Sequence, residues 1–212
     1  MRLAIALLVL ALSCVTLPVF AQNDLYDNGP IDGSRDAWTI NFGYVVSDSF
    51  TLTANSNMVN GLSFGSWIFP GDVLQTAEVS ITSGEFGGTT YFDGVVSFAQ
   101  SDCFGNIKGL YTCTETGSFE PVDLTAGTYW INLQNAIVSN GDPVYWDENS
   151  GMGCHSPGCP SSASQNQTGA IPSESFTIFG QSSNQTPEPS AIILFGSGVL
   201  GLGGVLRRRK RL

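Results

Sequence analysis

His155 is the single histidine of the chain, and it lies between Cys154 and Ser156 in the Pro- and Gly-rich stretch "GMGCHSPGCP". A serine or cysteine nucleophile needs a base that a third group holds in place, so a lone imidazole in a loop fits Ser-His-Asp or Cys-His chemistry poorly. Two adjacent carboxylates, Asp147 and Glu148, follow Tyr145-Trp146. An acid beside an aromatic is what a glycosidase cleft presents, but neighbouring side chains on a strand point to opposite faces. The pair therefore reads as a solvated acidic loop. No catalytic residue is assigned, and the chain is expected to be non-enzymatic, with an extracellular hydrolase using Asp147 or Glu148 as the weakest rival.

Asp24, Asp27, Asn28 and Asp32 in "DLYDNGPIDG", together with Asp147 to Asn149, supply the hard oxygen ligands that calcium prefers, although neither stretch matches an EF-hand loop. The competing reading is a set of ordinary Asx-turns. No cofactor is assigned, and calcium is the one candidate. Cys103, Cys113, Cys154 and Cys159 remain once an N-terminal leader containing Cys14 is removed. Three pairings exist; proximity favours Cys103 with Cys113 and Cys154 with Cys159, and a bridge around ten residues is worth about 2–3 kcal/mol by the loop-entropy argument. Zinc on Cys154, His155 and Cys159 is the alternative, but adjacent Cys-His ligands are awkward for one metal and exported thiols oxidise.

The aromatic pairs Tyr129-Trp130 and Tyr145-Trp146 lie on candidate strands, where one ring of each pair should face the core and the other should face out. An outward ring can stack on a sugar, which makes Trp130 and Trp146 glycan candidates. Single rings at a surface are also common without function.

The elements that must position these groups repeat with period two. Trp38, Ile40, Phe42, Tyr44 and Val46 alternate with Thr39, Asn41, Gly43 and Val45, and Phe50 with Leu52 resumes the pattern after a turn at Ser47-Asp48-Ser49. Further strands are expected over Leu62 to Phe69, Leu74 to Thr82, Thr90 to Ala99, Thr128 to Ala136, Val144 to Trp146 and Phe176 to Phe179. Breaks at Asn60-Gly61, Pro70-Gly71, Gly87-Gly88 and Asn140-Gly141 separate them. The expected fold is all-β, an antiparallel β-sandwich of jelly-roll type.

Both ends of the chain differ from this middle. Met1-Arg2, the apolar run Leu3 to Leu12 and Val19-Phe20-Ala21 before Gln22 form a secretory leader; a lipoprotein site at Cys14 fits less well, because Ala11 stands where a larger aliphatic residue is preferred. At the other end, Ala191 to Leu206 is uncharged, about 24 Å long as a helix, and lacks the polar face of a soluble one. Arg207, Arg208, Arg209, Lys210 and Arg211 follow and act as a stop-transfer cluster that stays cytoplasmic. The middle keeps only Arg35 and Lys108 among the eight basic residues and all but Glu188 of the eighteen acidic ones, a charge of about −15. That balance excludes nucleic acid as a partner.

Pro187-Glu188-Pro189, the apolar segment with Gly196, Gly198, Gly201, Gly203 and Gly204, and the basic cluster together resemble the PEP-CTERM sorting signal of Gram-negative bacteria. The resemblance is confined to the tail. It implies an exosortase as partner, transient residence in the inner membrane, processing near Pro187 to Pro189, and delivery to the cell surface or to exopolysaccharide. The expected organisation is a signal peptide (1–21), a β-sandwich ectodomain (22–181), a polar linker (182–186) and the sorting signal (187–212). The expected role is a surface or matrix protein, with a carbohydrate-binding module as the alternative. Protein recovered outside the cytoplasm is expected to begin at Gln22 on N-terminal sequencing; a retained, acylated Cys14 would overturn the leader assignment.

Overall fold

The computed structural model describes residues 23–182. The leader, the linker beyond Ser182 and the whole sorting signal lie outside these residues. Twelve strands and no helix occur among the described residues. They are β1 (Asn23–Asp27), β2 (Ala37–Thr39), β3 (Val45–Leu52), β4 (Asn57–Ile68), β5 (Leu74–Gly84), β6 (Gly87–Gly105), β7 (Tyr111–Leu124), β8 (Gly127–Val138), β9 (Tyr145–Asp147), β10 (Ala163–Gln165), β11 (Gly169–Ile171) and β12 (Phe176–Ser182).

All pairings are antiparallel, in the order β1-β12-β4-β7-β6-β5-β8-β3-β10-β11, with β9 added to β4 and β2 to β9. The sheet curls on itself through β6. Residues Thr90 to Ser97 of that strand pair with β5, whereas Phe98 to Gly105 pair with β7, so one 19-residue strand passes the ladder from one half to the other. The two halves enclose a single core in which Tyr26 of β1 meets Phe50 of β3 at 6.2 Å between ring centroids. Trp146, Phe64 and Phe176 pack edge-on or tilted around it. Each such ring, fully buried, contributes on the order of 1.5–3 kcal/mol. Period two explains which residues go inside: Val79 and Ile81 on β5, and Tyr129, Ile131 and Leu133 on β8, all point to the core.

Three expectations are corrected. The run from Trp38 to Val46 is not one strand; it breaks between β2 and β3 at a turn in which Phe42 (φ 55°) and Gly43 (φ 86°) are left-handed and Tyr44 N–H donates to Asn41 O at 3.1 Å. Ser47-Asp48-Ser49 is not a turn but the middle of β3, because Asp48 lies on the inward face with Val46 and Phe50 and finds hydrogen-bond donors there. Asn60-Gly61 does not end a strand; it makes a bulge within β4 opposite β7.

Strand β7 carries no apolar alternation, and nothing in the sequence announces it. It sits between β4 and β6, and polar Thr112 and Glu115 are fully buried along it beside Cys113. Cys103 and Cys113 are bonded across the β6–β7 hairpin, and Cys154 and Cys159 are bonded within the loop between β9 and β10. That second bond removes the thiols on which a zinc site would depend.

Gly65, in the middle of β4, allows β9 and the segment before β12 to close over it. A Cβ there would stand 2.7 Å from Asp147 Cβ, 2.7 Å from Ser175 Oγ and 2.8 Å from Ile31 Cγ2. Gly65→Ala is expected to destabilise the fold by about 1–3 kcal/mol. Urea unfolding measures this directly; an unchanged midpoint would mean that the contact is not tight.

Candidate functional site

The acidic stretches at residues 24–32 and 147–149 come together at one seam of the core, with two further acids that the sequence reading passed over. Asp147 closes β9 and is fully buried. Its Oδ1 accepts Trp67 Nε1–H at 2.6 Å, and its Oδ2 accepts Asp32 N–H (3.2 Å), Gly33 N–H (3.4 Å) and Ser175 Oγ–H (3.2 Å). Burial raises its pKa to about 6, against the pull of these donors. Glu148 accepts Trp38 Nε1–H at 2.8 Å and bridges to Glu174 across an isolated β-bridge.

Asp48 enters from the other half of the sheet. Its Oδ1 accepts Ser161 Oγ–H at 2.5 Å, and its Oδ2 accepts Glu174 N–H at 2.6 Å and Ser173 Oγ–H at 3.3 Å. Burial again dominates and raises it to about 7. Asn28 joins the same network, donating to Ser173 Oγ at 2.7 Å and Glu174 O at 2.6 Å while accepting from Tyr26 Oη–H at 2.9 Å. Glu174 differs from the rest. It is fully buried, neither carboxyl oxygen has a hydrogen-bond partner, and burial followed by the nearby charges of Asp48, Glu148 and Asp147 pushes its pKa well above the carboxylate range. A protonated, neutral Glu174 is the state this environment favours.

This arrangement fastens segments together. Ser161 contacts an acid without an imidazole, since His155 is exposed in the β9–β10 loop and lines a separate shallow cleft with Asp27, Gly29, Pro30 and Gly153. Among the described residues, no three His, Cys, Asp or Glu side chains are grouped to hold a metal ion. The residues proposed for calcium spend oxygens on local turns: Asp27 Oδ1 accepts Gly29 N–H, Asp32 Oδ1 accepts Ser34 N–H and Asn149 Oδ1 accepts Gly151 N–H. Asp24 is exposed on β1.

Two site expectations need correction. Asp147 and Glu148 are not a solvated acidic loop, because indole and backbone donors compensate their burial. Trp146 cannot stack on a glycan: it is fully buried between Phe64 and Phe176, and its Nε1–H donates to Ser175 O at 2.9 Å. Trp130 is half-buried on the face of β8 opposite Tyr129. Asp48 and Glu174 did leave a signal, since each is an acid flanked by serines, and at Asp48 strict alternation with Val46 and Phe50 already assigns the inward face.

A family model for the PEP-CTERM protein-sorting motif matches residues 185–210, and no curated protein matches the chain. The match contains Pro187, Glu188 and Pro189 and the basic residues Arg207 to Lys210. The motif implies a membrane-anchored precursor that is exported, with an exosortase as its processing partner.

The acids of the seam, together with Glu115 buried on β7, make the stability pH-dependent. Asp48 and Glu115 stand at about 7 and Asp147 at about 6, against ordinary values of 3.8 for Asp and 4.5 for Glu, and Glu174 is raised further. Between about pH 4 and pH 7 the folded protein therefore binds more protons than the unfolded chain, and its stability falls as pH rises through that window. Thermal unfolding with both disulfides intact is expected to give a higher midpoint at pH 4.5 than at pH 7.5, and Glu174→Gln is expected to flatten the difference. A midpoint that rises toward pH 7.5 would show that these acids are ionised in the fold.

Proposed function

We propose that this exosortase substrate is cut near Pro187 to Pro189 and that its curled sheet, a β-sandwich in which the two halves form the layers, then serves at the cell surface or in the extracellular matrix as a non-catalytic structural protein. The sorting motif carries this reading. Two features of the folded domain support it. The buried acids are engaged in joining β3, β4, β9 and the residues before β12, and the cysteines are paired as suits an oxidising compartment.

A carbohydrate-binding role for the same domain is the second reading. It is favoured by an aromatic ring, Phe42, that stands 64 % exposed at the edge of a cleft. Calcium has no support of this kind. Hydrolysis by Asp147 or Glu148 is not favoured either, because both carboxylates are buried and held by indole donors.

The sorting function is tested at the C-terminus. Changing Pro187, Glu188 and Pro189 together to alanine leaves the charge of the basic cluster and the apolar segment untouched. In an exosortase-positive host, mass spectrometry is expected to show wild-type protein truncated before Leu212 and the triple variant uncut in the membrane fraction. Wild-type protein that still ends at Leu212, with or without the exosortase, would sink the reading.

A further inference from the structure

We propose that the cleft between the β2–β3 turn and the end of β8 is a binding subsite for a neutral sugar ring, with Phe42 as its stacking platform and Asn135 as its hydrogen-bonding group. The inference rests on the carbohydrate reading above and assigns it a place. The cleft has a volume of about 320 Å³, within the range of small-ligand sites, and is lined by Phe42, Asn135, Ile137, Val138 and Gly141.

Backbone geometry marks both walls. The turn Asn41–Tyr44 closes with an i→i+3 hydrogen bond and has two left-handed central residues, a geometry that favours Asn-Gly and in which a bulky residue is out of place. Phe42 nevertheless occupies the first central position. Its ring is mostly exposed, so core packing does not compensate for the conformation. Across the cleft Asn135 is also left-handed, at φ 48°. The two walls are held in register by Ala136 N–H donating to Ile40 O at 3.1 Å, while Asn41 is fixed by Nδ2–H donating to Asp142 O at 3.0 Å. Strained residues that a surrounding framework holds in place are a recurrent property of ligand sites.

The chemistry selects the ligand. An exposed phenyl face is electron-rich and accepts the C–H face of a pyranose, and Ile137, 55 % exposed, extends that apolar surface. Asn135 Nδ2–H donates to Glu78 Oε2 at 2.7 Å, which restrains the amide and leaves Oδ1 as the atom able to accept from a sugar hydroxyl. Glu78 would repel a uronate, and neither Arg35 nor Lys108 lines the cleft. These groups suit an uncharged pyranose unit of a glycan rather than an acidic one.

Affinity electrophoresis of the full chain, purified from an expressing host, in gels containing a neutral β-glucan, galactomannan or polygalacturonate tests the assignment. Retardation is expected in at least one neutral gel and not in polygalacturonate. Phe42→Gly and Asn135→Gly both retain the left-handed backbone and are each expected to weaken binding at least tenfold, with Phe42→Gly raising the melting temperature because the strain is relieved. Phe86→Gly, at the left-handed hairpin residue beyond the far end of β5, is expected to leave binding unchanged. If Trp130→Ala abolishes neutral-glycan binding while Phe42→Gly does not, the carbohydrate reading stands and this subsite falls. If no neutral gel retards the wild-type protein, both fall.

Discussion

The carboxylate of Asp147 is the point to which the rest of the seam is fastened. Removing a carboxylate from water costs several kcal/mol, and a fold tolerates that only when donors replace the lost hydration. Four donors do so here, from the residues before β2, from β4 and from the segment before β12. One side chain thus ties together three stretches that are distant in sequence. Gly65 is the steric counterpart of the same junction, since the strand beneath Asp147 has no room for a Cβ. Glu174 lies beside this satisfied group and has no donor of its own, so the seam sets well-compensated acids such as Asp147 and Asp48 next to one whose simplest stable form is protonated.

The long strand β6 explains how, among the described residues, a single curled sheet encloses a core without a helix to cover it. By pairing with β5 along its first half and β7 along its second, it joins the two layers through continuous hydrogen bonds. The sheet then ends in β1 at one side and β11 at the other, five and three residues long. Short terminal strands expose few unpaired backbone groups to another chain. The disulfide between β6 and β7 lies on the strand that passes between the layers, where separation of the hairpin would open the curl.

How far the sequence revealed this arrangement depended on whether apolar burial or polar satisfaction governed each element. Strands β5 and β8 alternate cleanly and were readable, as were the turns at Pro70-Gly71 and Asn140-Gly141. Strand β7 was not, because its inward positions include Thr112 and Glu115, whose burial depends on partners such as Ser66 that only the folded sheet brings near. Asp147 and Glu148 were visible as an acidic pair, but their burial depends on Trp67 and Trp38, 80 and 110 residues away in sequence. The cleft at Phe42 was hidden for the opposite reason: the residue continued an apolar alternation so well that the left-handed turn beneath it gave no signal of its own. The tail was legible because its information is linear, in a proline-bounded motif, an apolar run and a charge cluster.

That linear tail and the folded domain constrain each other at β12. This strand is the last described element, and it is an interior member of the sheet, paired with β1 over Thr177 to Gly180 on one side and with β4 as far as Ser182 on the other. Only four residues separate Ser182 from Pro187, a reach of at most about 18 Å even when fully extended. On the cleavage proposed above, an enzyme that grips Pro187 to Pro189 works within this length of chain from Ser182 or acts before β12 has docked. The second order of events would leave Phe176 and Ile178 out of the core while the chain was still anchored, exposing apolar surface that the finished fold buries completely. Folding first keeps those side chains covered, and it makes the surface around Ser182 part of what the processing enzyme meets.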